Sequence, residues 1–204
     1  MTDNTTSLTA HSRAAAWQLL TEWTAGESLR KHALGVETCV LAYAHQEADR
    51  LALTGQPRAE LLNLYATTAL LHDFDYERHP SLEEHPFVGV GELERLGWPL
   101  ALRTAILGHA GYSGTPRVTH LDKTLFACDE LSGFLTACAR VKPSKSIAEV
   151  EVASVRRKLK DKAFARGVNR EDVIQGAAEM GIELDAHIAI CLAAMQARAA
   201  ELGL

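Results

Sequence analysis

The sequence has no unbroken apolar run of about 18 residues or more, so nothing in it reads as a membrane-spanning helix. Cysteine is scarce. The four present (Cys39, Cys128, Cys138 and Cys191) are widely scattered, and none forms a CxxC pair. That spacing argues against a cysteine-rich zinc site and implies no disulfide framework, so each cysteine reads as a small buried hydrophobe. A surplus of positive charge is missing as well. A net charge of -5 and a pI near 6.0 argue against a dedicated nucleic-acid binder. Runs of alternating β-branched residues are absent, which removes the sheet signal. The stretch MTDNTTSLTAHSRAAA has no basic segment followed by an apolar run. It carries no signal-peptide pattern, and a cytoplasmic setting is expected.

What remains is 204 residues with 47% hydrophobic and 23% charged content, the balance of a soluble domain that buries a core without staples. Apolar residues recur at helical spacing almost throughout, and the expected fold class is an all-α bundle of eight or nine helices in a single domain. Helices are expected at about 8–24, 27–53, 58–72, 86–96, 100–109 and 119–141. Gly and Pro punctuate their ends. Ser146 with Glu149 has the spacing of a capping box and predicts a helix to about Phe164. Asn169 caps the next, broken near Gly181, and a last helix runs over about 184–202. The region 27–135 carries the chemistry, and 140–204 reads as a basic helical extension.

The informative residues are polar groups set on apolar stripes. His32 lies in line with Val36, Val40 and Tyr43. Leu61, Tyr65, Thr68 and His72 share a face, and Leu121, Leu125 and Asp129 step by four. Such stripes normally face neighbouring helices. An unpaired carboxylate is too costly to bury, so Asp129 requires a cation, a basic side chain or strong hydrogen bonds. A divalent metal would satisfy Asp129, His32, His72 and Asp73 together. Imidazole and carboxylate ligands suit Mn, Fe, Mg, Co, Ni or Zn.

The set His32, His72-Asp73 and Asp129 resembles the HD superfamily of metal-dependent phosphohydrolases, with LLHDFDY as its most recognisable stretch. The resemblance spans about residues 27–135. It implies a helical bundle and a divalent metal held by these four positions. His85 opens HPFVGVGELERLG and His109 ends the fifth helix in AILGHAGY. These resemble the His-Pro-x-x-Gly stretch and the later His of the HD-GYP branch, which implies that His85 and His109 hold a second metal with Asp73 bridging. The Gly-Tyr-Pro triplet of that branch is missing here, which argues against cyclic-di-GMP as substrate. His79 and His120 match no position of the pattern, while His11, His45 and His187 read as surface or packing residues.

The implied chemistry is hydrolysis of a phosphate ester or anhydride of a small molecule, a nucleotide by preference. The metal lowers the pKa of its water and polarises a phosphoryl oxygen. Besides Asp73, the catalytic candidates are Asp75, which either orients the attacking water or caps a turn, and Lys123. Arg78 is a candidate for the substrate's phosphoryl oxygens. Residues 140–170 hold ten of the 21 Lys and Arg against Glu149, Glu151 and Asp161. This stretch is either a solvated face or a phosphate-binding surface built on Lys145, Lys158 and Lys162. Two other functions fit the same residues: a di-iron oxygenase, and a non-catalytic module that binds a nucleotide. Pairing into a homo-oligomer through an exposed apolar face stays open.

Overall fold

Among residues 10–204, which a computed structural model describes, every regular element is helical. Ten α-helices follow one another: α1 Arg13–Trp23, α2 Glu27–Arg50, α3 Gly55–Leu71, α4 Phe87–Arg95, α5 Leu100–His109, α6 His120–Arg140, α7 Val152–Lys160, α8 Arg170–Glu179, α9 Leu184–Ala197 and α10 Ala199–Leu202. The all-α expectation holds, and none of these helices is long and apolar enough to cross a membrane. The predicted start of the first helix near Leu8 lies outside the described residues, as does most of the segment read for a signal peptide.

Two predicted elements differ. Ser146 does act as a cap, accepting from the Ala148 N–H at 3.2 Å, but it opens only a 3-10 turn, Ile147–Glu149. The chain then extends through Val150, whose side chain is buried. A second reciprocal cap, Glu151 with Ser154, starts α7. The helix stops at Lys160 because Phe164 turns back onto Phe134, with ring centroids 5.4 Å apart. Arg170 fixes that turn by donating to the carbonyls of Asp161, Phe164 and Val168. The last predicted helix breaks at Arg198, whose guanidinium reaches both Thr38 and Glu201.

Helices α2 and α6 form the centre. Helices α3, α6 and α9 pack on α2, and α5 and α8 pack on α6. Leu70, Leu71, Leu125, Leu131 and Phe134 are fully buried between them. Each such side chain contributes about 1.5–3 kcal/mol. Ile188, Cys191 and Met195 of α9 belong to the same core, so the carboxy-terminal third is part of the bundle rather than an appendage. All four cysteines are free and buried. Polar ties set the register. Tyr43 of α2 donates to His187 Nδ1 at 2.6 Å, and His187 Nε2 donates to the Ala127 carbonyl at 2.8 Å, binding α9 to both central helices. Buried Glu37 accepts a forked pair of bonds from Arg13, joining α1 to α2.

Candidate metal centre

Helix ends bring the histidines together. His72 follows the last residue of α3, and His109 is the last residue of α5. There the final carbonyls lack helical partners. Each imidazole uses one: His72 Nδ1 donates to the Ala69 carbonyl at 2.8 Å, and His109 Nδ1 donates to the Ile106 carbonyl at 2.5 Å. The device is the same at both sites, a bond three residues back. His85 precedes α4 and donates through Nδ1 to Asp75 at 2.8 Å. Three of the four imidazoles therefore carry their proton on Nδ1 and leave the Nε2 lone pair free. That is the tautomer a metal ligand needs.

The turn after α3 is anchored firmly. Phe74 is buried, and its carbonyl accepts from Thr24 Oγ1 at 3.0 Å. Glu77 accepts from the Ala25 and Gly26 N–H groups at 3.0 and 2.7 Å, holding this turn against the start of α2. Asp73 is thereby fixed between His32, on the first turns of α2, and the histidines of the loop and α5.

Its two oxygens divide the site. Asp73 Oδ2 lies 3.4 Å from His72 Nε2 and 3.8 Å from His32 Nε2. Asp73 Oδ1 lies 3.2 Å from His85 Nε2 and 3.3 Å from His109 Nε2. Asp129 Oδ1, from the middle of α6, completes the first group at 3.0 Å from His32 Nε2 and 3.4 Å from His72 Nε2. An ion with bonds of about 2.0–2.2 Å sets its ligand atoms about 3.0–3.6 Å apart. Two groups can hold a metal ion: His32, His72 and Asp129, and Asp73, His85 and His109.

His72 gives the test of fit. Its side chain is fully buried, yet Nε2 makes no hydrogen bond. An orphaned buried polar atom costs about 1–3 kcal/mol, and an ion at this point removes that cost. The charges agree. Burial disfavours charge on every member of the cluster, but mutual attraction outweighs it. Asp73 and Asp129 hold the His72 imidazole well above its usual pKa. His72 in turn keeps Asp73 well below the carboxylate range, and His72 with His32 lowers Asp129. For His85, hydrogen bonds to Asp73 and Asp75 overcome burial and push the pKa up to about 9. The two carboxylates thus draw positive charge to this point, as protons on the imidazoles or, with those protons displaced, as metal ions.

The structure brings together all six predicted ligands. Of the other predicted site residues, only Asp75 touches them. Asp75 is buried behind His85, with its second oxygen taken by the Gly89 N–H at 2.7 Å, so it orients a ligand and caps α4 rather than facing a water. Arg78 stacks on Trp23 at 4.6 Å and donates to the Glu22 carbonyl. Lys123 lines a different depression with Arg117 and Glu179. Lys158 sits over the Phe164 ring at 4.2 Å, Lys145 and Lys162 are exposed, and none of the three lines the space over the ligands. Arg156 pairs with Asp185 at 2.9 Å, so much of the basic segment serves the fold.

A depression of about 400 Å³ opens over the ligands. Its remaining wall includes Tyr76, Tyr112, Phe126, Glu130, Asn169 and Asp172, with no Lys or Arg among the residues lining it. Sequence reasoning missed these residues. Only Glu130 carried a signal, as a second carboxylate beside Asp129 on a buried helix. Burial and the neighbouring Asp129 charge push the Glu130 carboxyl up to about 7. Comparison with protein-family models, with curated proteins and with solved structures gives no match for this chain.

Proposed function

We propose that this chain is a two-metal phosphohydrolase of the HD type, acting on a phosphate ester or anhydride of a small molecule. The observation that carries the reading is the division of Asp73, one oxygen toward each group of ligands. Two divalent ions, when bound there, supply Lewis-acid activation of water and neutralise charge on a phosphoryl group. The protein holds the imidazoles in place, fixes both carboxylates and shields them within the bundle. Because no Lys or Arg lines the depression, the substrate's negative charge has to meet the metals themselves. Tyr76, Tyr112 and Phe126 offer flat apolar faces, and Glu130 and Asp172 offer acceptors. Both suit the base of a nucleotide, whose amino groups donate.

The test is turnover of a panel of nucleotides and simple phosphate esters with Mn, Mg, Co and Fe. Activity that follows metal content supports the reading. Metal bound without turnover of any ester overturns it. The four-imidazole, two-carboxylate donor set equally favours a second reading, a di-iron oxygenase. Anaerobic metal analysis with iron spectroscopy separates the two, since a centre that holds only a non-iron ion removes the oxygenase.

A further inference from the structure

A second cavity, of about 670 Å³, lies on the other side of His32, between α2 and α6. Its wall includes Ser28, Lys31, His32, Gly35, Gly133 and Arg140. The volume is that of a small-molecule site. His32 belongs to both walls, and its ring divides the roles. Nε2 faces Asp129 at 3.0 Å, while Nδ1 points toward Gly133 on the cleft side.

His32 differs here from the other three imidazoles. His72, His85 and His109 each give Nδ1–H to a protein acceptor. His32 Nδ1 has no acceptor among the described residues. A metal-ligating histidine almost always donates its second N–H, because the partner fixes the ring and raises its basicity. His32 is 24% exposed, and its Nδ1–H faces the cleft, where water or a bound molecule accepts it.

Gly133 strengthens the point. Glycine inside a helix is less favourable than alanine. Usually a close neighbour accounts for it, yet a Cβ at Gly133 would meet only His32 Nδ1 at 4.0 Å, and one at Gly35 nothing nearer than 3.8 Å. Packing does not demand either glycine. Gly133 keeps the cleft open beside the ring, while the missing side chain of Gly35 faces Met195 and Ser132. Arg140 borders the same space and is exposed, with no ion-pair partner among the described residues, whereas Lys31 is paired with Glu27 at 2.8 Å.

We infer that this cleft binds a small molecule bearing a carboxylate or phosphoryl oxygen, which accepts the His32 Nδ1–H, pairs with Arg140 and so couples its occupancy to the metal centre. The inference rests on the reading of His32 as a metal ligand. It does not depend on which reaction the centre performs.

The test uses zinc-loaded protein with 15N-labelled histidine, titrated with inorganic phosphate and, separately, succinate. The expected result is a saturable shift of the His32 Nδ1 resonance, with those of His72, His85 and His109 unmoved. Arg140→Ala should weaken the probe tenfold or more, and Gly133→Leu should block it while zinc content stays unchanged. A probe that moves all four rings together, indifferent to Arg140→Ala, binds at the metals only and overturns the proposal. Failure of both probes to shift His32 overturns it too. A sample that takes up no zinc overturns the reading of the centre instead. The cleft then stands or falls on the Arg140 comparison, measured by calorimetry in the metal-free protein.

Discussion

Asp75 accepts a 2.8 Å hydrogen bond from His85 Nδ1, on the side of the ring opposite Asp73. The carboxylate therefore works through His85, fixing the tautomer whose Nε2 faces the second ion position. Removing such a partner typically weakens metal affinity by about 10–100-fold. Asp75→Ala should lower the affinity of one ion position and spare the other, read as loss of one of two ions on dialysis against a weak chelator. Loss of both ions together, with the fold intact by circular dichroism, would show that the two positions are not separable in this way.

The two ligand groups meet only at Asp73. His72→Ala should empty the position held by His32, His72 and Asp129, and Asp73→Ala, which removes the shared carboxylate, should weaken both positions; each should abolish any activity while leaving the helical content largely intact, because both side chains sit at a helix end rather than inside one. His85→Ala should retain a single ion held by His32, His72 and Asp129. Elemental analysis of the three variants checks this, and unchanged stoichiometry in His85→Ala refutes the second position.

Two helix glycines should respond to alanine with opposite signs. A Cβ at Gly176 would lie 2.5 Å from the Ala127 Cα, where α8 crosses α6, and a backbone atom cannot step aside cheaply. Gly176→Ala should cost about 1–3 kcal/mol by forcing the helices apart. A Cβ at Gly133, in the same helix as Ala127, would meet only His32 Nδ1 at an ordinary contact distance of 4.0 Å, so Gly133→Ala should gain about 0.5–1 kcal/mol from helix propensity. Urea denaturation of the two variants measures both. A destabilised Gly133→Ala would mean that the cleft is tighter than its geometry implies.

The helices were legible because their signals are local. Apolar periodicity and the Gly and Pro stops placed α5 at 100–109 and α6 within a residue at each end. His32, His72, Asp73 and Asp129 were legible for a related reason: a His or Asp set on an apolar stripe or at a helix end must find a cation or a hydrogen bond before it can be buried. His85 and His109 were legible only through their resemblance to the HD-GYP pattern. Roles that depend on distant packing were not legible. Asp75 has the same sequence context whether it faces water or the back of His85. Only the approach of α4, which brings the Gly89 N–H to 2.7 Å, decides between them. The basic segment left two readings open because charge clustered along the chain need not cluster in space. Arg170 spends its donors on loop carbonyls, and Lys158 lies on Phe164. Ser146 misled at shorter range. It satisfies the cap, but burial of Ile147 and Val150 pulls the chain straight before a helix can propagate.

His187 gives the fold a dependence on pH that is separate from the metal ligands. Burial lowers its pKa from the ordinary 6.5, only partly offset by the bond to the Ala127 carbonyl. Its neighbours Tyr43 and Cys191 are both pushed upward by burial, so neither titrates in the same range. The folded state thus keeps His187 neutral where the unfolded chain would protonate it. Stability from this residue is complete above about pH 6.5 and is lost as the pH falls below it, approaching about 1.4 kcal/mol per pH unit until the folded form also takes up a proton. His187→Gln should be less stable at neutral pH, having lost the bonds to Tyr43 and Ala127, but its stability should fall less steeply between pH 7 and pH 5. The metal centre contributes to both proteins, so the difference between their urea midpoints across that range isolates His187. Parallel slopes would mean that the imidazole is protonated in the fold after all, with Tyr43 turned to accept from it.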